Sequence, residues 1–156
     1  MSVLDLRALL SALNEAAVRF VVIGGVAVGA HGYVRATEDL DIVPEPTGEN
    51  ADRLARVLAE LEGKLPLAES RPFQAAGDVA ALKRRRNLTL DTRHGALDVV
   101  QQAAGVPSFA ELDKRAIASE LLGVPVRVAS LSDLRRMKEA RGSTQDRADL
   151  EQLPPD

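Results

Sequence analysis

Asp39 and Asp41 stand one residue apart in the segment Asp39-Leu40-Asp41-Ile42-Val43. In an extended strand, residues i and i+2 point to the same side, so both carboxylates aim one way with Leu40 and Ile42 behind them. Their Cα atoms then lie roughly 6–7 Å apart, close enough to serve a pair of metal ions about 4 Å apart. Like charges so placed repel, and a strand rarely keeps them together without a cation; the competing reading is a solvated strand end. Upstream, Phe20-Val-Val-Ile23 reads as an apolar strand that runs into Gly24-Gly25. That turn opens a short helix, whose free N–H groups suit phosphate oxygens. Without a Cβ, the backbone can approach such a ligand closely; the alternative use of the glycines is a tight turn before a packed helix. Carboxylates for metal beside a turn for phosphate point to phosphoryl or nucleotidyl transfer.

Asp98 is the natural third ligand. It alternates with Leu97 and Val99 in a strand-like run. A carboxylate in such apolar company is costly unless it is metal-bound or paired with an arginine. An oxygen-only donor set suits Mg²⁺ or Mn²⁺. Arg35 and Thr37 precede the aspartates, and Arg35 is placed to pair with a site carboxylate, to touch a phosphate, or to sit on the surface. Lys138 lies at the edge of the apolar stripe Leu131, Leu134 and Met137, so its stem can pack while its ammonium reaches a nucleotide phosphate or a surface acid. His31 reads as a packed or capping residue and His94 as an exposed turn residue. Asp146 and Asp149 read as arginine partners or helix caps. The spacing excludes an EF-hand loop, a Walker loop and a dinucleotide fingerprint.

These residues need elements to position them. Helical periodicity over residues 3–17 predicts an amphipathic helix, followed by a strand over 19–23, a short helix over 26–33 and a second strand over 40–43. Thr47 caps a predicted helix over 48–62 with the apolar stripe Ala51, Leu54, Val57, Leu58 and Leu61. Residues 64–82, with Pro66, Pro72 and Gly77, read as a loop with a short helix over 78–82. Two hairpins follow, 87–91 with 96–101 around Thr92-Arg-His-Gly95, and 117–122 with 124–129 around Gly123. A short helix over 108–115 separates them. Ser130 and Asp133 resemble a capping box, Gly142 ends that helix, and Ser143 opens the last one. The expected fold class is α+β, with a mixed β-sheet flanked by helices, in one domain over 1–156 with a C-terminal helical appendage over 130–156.

The chain has 156 residues, is 46% hydrophobic and 28% charged, and so carries enough apolar material for a core. Aromatics at 3% leave the core to aliphatic residues and offer few stacking platforms for bases. The absence of cysteine excludes thiolate metal sites and disulfides. A net charge of −3 argues against a general nucleic-acid binder. Lys83-Arg84-Arg85-Arg86 and the group Arg127, Arg135, Arg136 and Lys138 nonetheless read as either solvated faces or a strip for a polyanionic acceptor such as RNA. No signal peptide or membrane-spanning run is visible, so a cytoplasmic location without membrane partners is expected.

With Ile23-Gly24-Gly25, Asp39-Leu40-Asp41 and Asp98 in place, the chain resembles the nucleotidyltransferase superfamily with the DNA polymerase β-like core. A closer resemblance is to small bacterial AbiEii-type toxin-like proteins. It is carried by Gly24-Gly25-Val26-Ala27, His31-Gly32 and Arg35-Ala36-Thr37-Glu38-Asp39-Leu40-Asp41-Ile42, and more loosely by Leu131 to Lys138 with Arg141, Asp146 and Asp149-Leu150. Gly25 departs from the Ser common in the superfamily. The resemblance implies a nucleotidyltransferase in which Asp39, Asp41 and Asp98 hold Mg²⁺ or Mn²⁺ and act catalytically. In it Gly24, Gly25, Arg35, Thr37 and Lys138 bind the nucleotide. It further implies an NTP substrate, an RNA (such as tRNA) or protein acceptor, and an antitoxin partner. Two alternatives are an antibiotic-modifying nucleotidyltransferase and a non-catalytic nucleotide- or partner-binding module of a toxin–antitoxin pair.

Overall fold

The computed structural model describes residues 3–65, 71–73 and 75–155. The chain begins with helix α1 (Leu6–Glu15), capped by the Asp5 side chain, and buries Leu9, Leu10 and Leu13. It stops short of residue 17 because Ala17 takes a left-handed φ of 58°. Strand β1 (Phe20–Ile23) leads into α2 (Gly24–Ala30), which starts on the two glycines themselves. Strand β2 (Asp39–Pro44) and helix α3 (Gly48–Glu60) follow as expected, and all five residues of the predicted α3 stripe are buried.

Residues 64–82 hold more structure than their composition suggests. Short strands β3 (Lys64–Leu65) and β4 (Arg71–Pro72) pair antiparallel, and α4 runs over Ala75–Lys83. Their cause is sheet pairing rather than local periodicity: Lys64 of β3 lies in register with Asp91. Pro66 lies outside the described residues. The two hairpins form as β5 (Leu88–Thr92) with β6 (Gly95–Val99), and β7 (Ile117–Leu121) with β8 (Val124–Val128), separated by α5 (Phe109–Arg115). His94 is half-buried rather than exposed, because its carbonyl accepts the Asp5 N–H at 2.8 Å. Helices α6 (Leu131–Arg141) and α7 (Thr144–Gln152) close the chain as a pair joined by Gly142 and Ser143.

The architecture is α+β, with one mixed sheet in the order β4-β3-β5-β6-β2-β1-β8-β7. Its centre sets the site. Strand β2 runs antiparallel to β1 and parallel to β6, with Asp41 in register with Asp98. On one face stand Asp39, Asp41, Asp98 and Thr89. On the other, Leu40, Ile42, Leu90 and Leu97 are fully buried and join the leucines of α1 and α3 in one apolar core. No helix among the described residues is long and apolar enough to cross a membrane.

One buried side chain ties the entrance of β1 to the exit of β2. Asn50, fully buried on α3, accepts the Arg19 N–H at 2.8 Å and donates to the carbonyls of Arg19 at 2.9 Å and Glu45 at 3.0 Å. Asn50→Ala strands the Arg19 N–H, while the Arg19 and Glu45 carbonyls keep the N–H groups of Glu45 and Thr47, and the expected loss is about 1–3 kcal/mol of unfolding free energy, read as a lower urea midpoint with an unchanged m-value.

Candidate active site

The three aspartates converge. Ligand oxygens of Asp39, Asp41 and Asp98 lie within 4.8 Å of one another. Asp39 and Asp41 share a face because they are two residues apart on β2; Asp98 joins them because β6 lies beside β2 in parallel register. The group opens into a cleft of ≈ 660 Å³. Asp98 Oδ1 is buried, and among the described residues it has no hydrogen-bond partner and no arginine pairs with Asp98. An acidic oxygen left without a donor among two other carboxylates fits a divalent cation, whose charge would offset all three and whose oxygen preference matches the donor set.

The electrostatics state the same need. Burial pushes the Asp39 carboxyl up to about 6, reinforced by its contact with Asp98. Burial and the charge of Asp39 push Asp41 up to about 8, and the nearby Arg141 only partly offsets this. Both groups hold protons more tightly than their ordinary carboxylate values would allow.

The glycine pair is explained by side-chain room. Gly24 has φ +70°, and a Cβ there would fall 2.0 Å from Asp41 Oδ2. A Cβ on Gly25 would sit 3.0–3.1 Å from the Arg35 guanidinium. That guanidinium is pinned by a two-pronged pair with Asp149, at 2.8 and 3.0 Å. The serine common at this position in the resembled superfamily would crowd Arg35, which accounts for Gly25 here. Thr37 donates its hydroxyl to the Asp39 carbonyl at 3.0 Å and so braces the start of β2.

Behind Arg35 lies a buried ion network. The Lys138 ammonium contacts Asp149 at 2.8 Å and Asp146 at 3.4 Å, and all three residues are buried. Burial alone would raise both carboxyls, but hydrogen bonds from Arg141 and Ser143 to Asp146, and from Arg35, Lys138 and Gln145 to Asp149, outweigh it and hold both below the ordinary carboxylate range. Asp146 also completes the capping box with Ser143. The other expected box does not close: Ser130 caps the Asp133 N–H, while the Asp133 carboxylate turns to Arg115 at 2.9–3.2 Å. His31 packs through Nε2 against the Ala129 carbonyl at 2.8 Å.

The two basic groups part ways. Arg127 is taken up by Asp113, and Arg135 donates to the Leu153 and Pro154 carbonyls. Lys83 meets Asp52 at 3.2 Å, whereas Arg84, Arg85 and Arg86 are exposed and directly precede Asn87, Leu88 and Thr89, which line the cleft. Thr89 and Arg141 are among the cleft residues to which sequence reasoning assigned no role. Thr89 lies opposite Asp98 only through strand register, and Arg141 follows Lys138 by one helical turn.

No protein-family model and no curated protein match the chain. Solved structures do. A nucleotidyltransferase candidate from Thermotoga maritima superposes with a TM-score of 0.59 at 16% identity, covering 94% of this chain and 88% of that one. An antigenic nucleotidyltransferase-like protein from Paracoccidioides brasiliensis gives 0.55 at 18% identity over 94% of this chain and 70% of that one. The fold is that of the nucleotidyltransferases. The antibiotic-resistance factor ANT(2'')-Ia shares it, with a TM-score of 0.53 at 19% identity over 83% of this chain and 65% of the other. The likeness to AbiEii-type toxins rests on the residue pattern alone.

Two outcomes follow from this geometry. Gly24→Ala forces both a left-handed alanine and a collision with Asp41, so the variant is expected to lose about 2–4 kcal/mol of stability in chemical unfolding. Because the Asp39 and Asp41 pKa values are raised on folding, the folded protein binds more protons than the unfolded chain between about pH 4 and 8. Stability of the metal-free protein therefore falls as pH rises through that window. Calorimetry in chelator should show Tm decreasing from pH 5 to 8.5, and added Mg²⁺ should raise Tm most at the alkaline end.

Proposed function

We propose that the protein is a nucleotidyltransferase that moves a nucleoside monophosphate from an NTP to a hydroxyl acceptor. The observation that supports this best is the meeting of Asp39, Asp41 and Asp98 oxygens within 4.8 Å beside the Gly24 turn, on a nucleotidyltransferase fold. Asp39, Asp41 and Asp98 would hold Mg²⁺ or Mn²⁺, which when bound supplies charge neutralisation at the phosphates. Gly24 and Gly25, with Arg35 and Thr37, form the wall against which the nucleotide phosphates lie. Lys138 maintains that wall through Asp146 and Asp149. Asp98 takes the proton of the acceptor hydroxyl. The acceptor's hydroxyl oxygen attacks the α-phosphorus in line, the bond to the bridging oxygen breaks, and pyrophosphate leaves with the electron pair.

Arg84, Arg85 and Arg86, exposed and next in sequence to the cleft-lining Asn87, favour a polyanionic acceptor such as RNA over a polycationic antibiotic. The AbiEii-like pattern adds a toxin role with an antitoxin partner to this reading.

The test is incubation of purified protein with each α-³²P-labelled NTP, Mg²⁺ and total RNA. Label is expected in RNA, and Asp41→Asn should reduce it at least about 100-fold while keeping the native circular dichroism spectrum. Undiminished labelling by that variant refutes the mechanism, and transfer to an aminoglycoside instead of RNA replaces the acceptor. Growth arrest on expression of wild type but not of Asp41→Asn is the expected signature of the toxin role.

A further inference from the structure

We infer that Arg141, rather than Lys138, is the cation that binds the β- and γ-phosphates of the nucleotide and the pyrophosphate that leaves, an inference that rests on the function proposed above. Three cations, Arg35, Lys138 and Arg141, share the two buried carboxylates Asp146 and Asp149. One positive charge is therefore left over. Side-chain exposure decides where it is available: Lys138 is 4% exposed, Arg35 19% and Arg141 66%. The Lys138 ammonium is enclosed between two acids, and Arg35 spends three donors on Asp149 and the Ala36 carbonyl. Among the described residues Arg141 spends only two, Nε and Nη2, each 2.7 Å from Asp146. A guanidinium has five N–H groups, so three remain, including both on Nη1.

The guanidinium is also aimed. Asp146, which grips it, is itself fixed by the Ser143 N–H at 3.0 Å, the Ser143 hydroxyl at 2.7 Å and the Lys138 ammonium at 3.4 Å. Arg141 lines the same cleft as the three aspartates and makes no ion pair with any of them. The cleft is thus lined both by the carboxylate cluster and by a preorganised guanidinium with N–H groups to spare. A triphosphate laid across it would place its α-phosphate toward the carboxylates and its terminal phosphates toward Arg141. As the bond from the α-phosphorus to the bridging oxygen breaks, negative charge accumulates on the pyrophosphate, where the free N–H groups can receive it. Lys138 is then a positioning residue: it neutralises Asp146 and Asp149, so that Arg141 and Arg35 keep their forks aligned.

The inference is tested without assuming a base or an acceptor. Inorganic tripolyphosphate and inorganic pyrophosphate, each with Mg²⁺, are titrated calorimetrically into the full-length protein. Arg141→Gln is expected to weaken both about 10- to 100-fold. Arg136→Gln removes the same charge from an exposed position of α6 that does not line the cleft, and should leave both affinities within about twofold. Arg141→Lys keeps the charge but not the fork and should recover part of the loss. Tripolyphosphate affinity unchanged in Arg141→Gln, or lowered equally in Arg136→Gln, overturns the assignment while the proposed transfer stands. Wild-type protein that binds neither probe in the presence of Mg²⁺ overturns both.

Discussion

Three carboxylates that repel one another are held within a few ångströms, half-buried, on one face of a sheet, and most of the structure answers to that constraint. Mutual repulsion and desolvation both resist the arrangement, as the raised Asp39 and Asp41 pKa values register. The apolar side of the sheet supplies the counterweight. Leu40, Ile42, Leu90 and Leu97 are fully buried directly behind the aspartates, so any register slip that separated the acids would expose the leucines.

Space is made for the cluster by what is missing. Gly24 has no side chain because Asp41 occupies the position its Cβ would take, and Gly25 yields to the Arg35 guanidinium in the same way. The pair thus reads as a mould around two charged side chains. Any contribution of the backbone N–H groups to phosphate binding would come in addition, and would require the same two glycines.

A second electrostatic unit, of opposite character, lines the same cleft. Asp146 and Asp149 are fully buried yet held below the ordinary carboxylate range, because Arg35, Lys138, Arg141, Ser143 and Gln145 satisfy them. This unit joins the loop before β2 to the last two helices, so the C-terminal pair forms one wall of the cleft. One acidic cluster short of cations and one network with more cations than carboxylates therefore line the same opening.

The chain's local pattern was enough for the elements whose cause is local. The apolar stripe of α3, the paired aspartates on alternate positions of β2, the glycine turn and the hairpin around Gly95 all follow from periodicity and turn chemistry. Asp98 was legible as a third acid because an ionisable residue between Leu97 and Val99 demands a reason. Strands β3 and β4 and the full length of α4 were not legible, because two-residue strands acquire their conformation from partners distant in sequence. The fate of Lys138 was equally non-local. Helical spacing placed it at the edge of a buried stripe, but only the packing of α7 against α6 supplied the two carboxylates that enclose it. Residue types and spacing determined which chemistry was on offer; pairwise contact across the fold decided which charges remain free to perform it, since Coulomb interactions depend on distance in space and not along the chain.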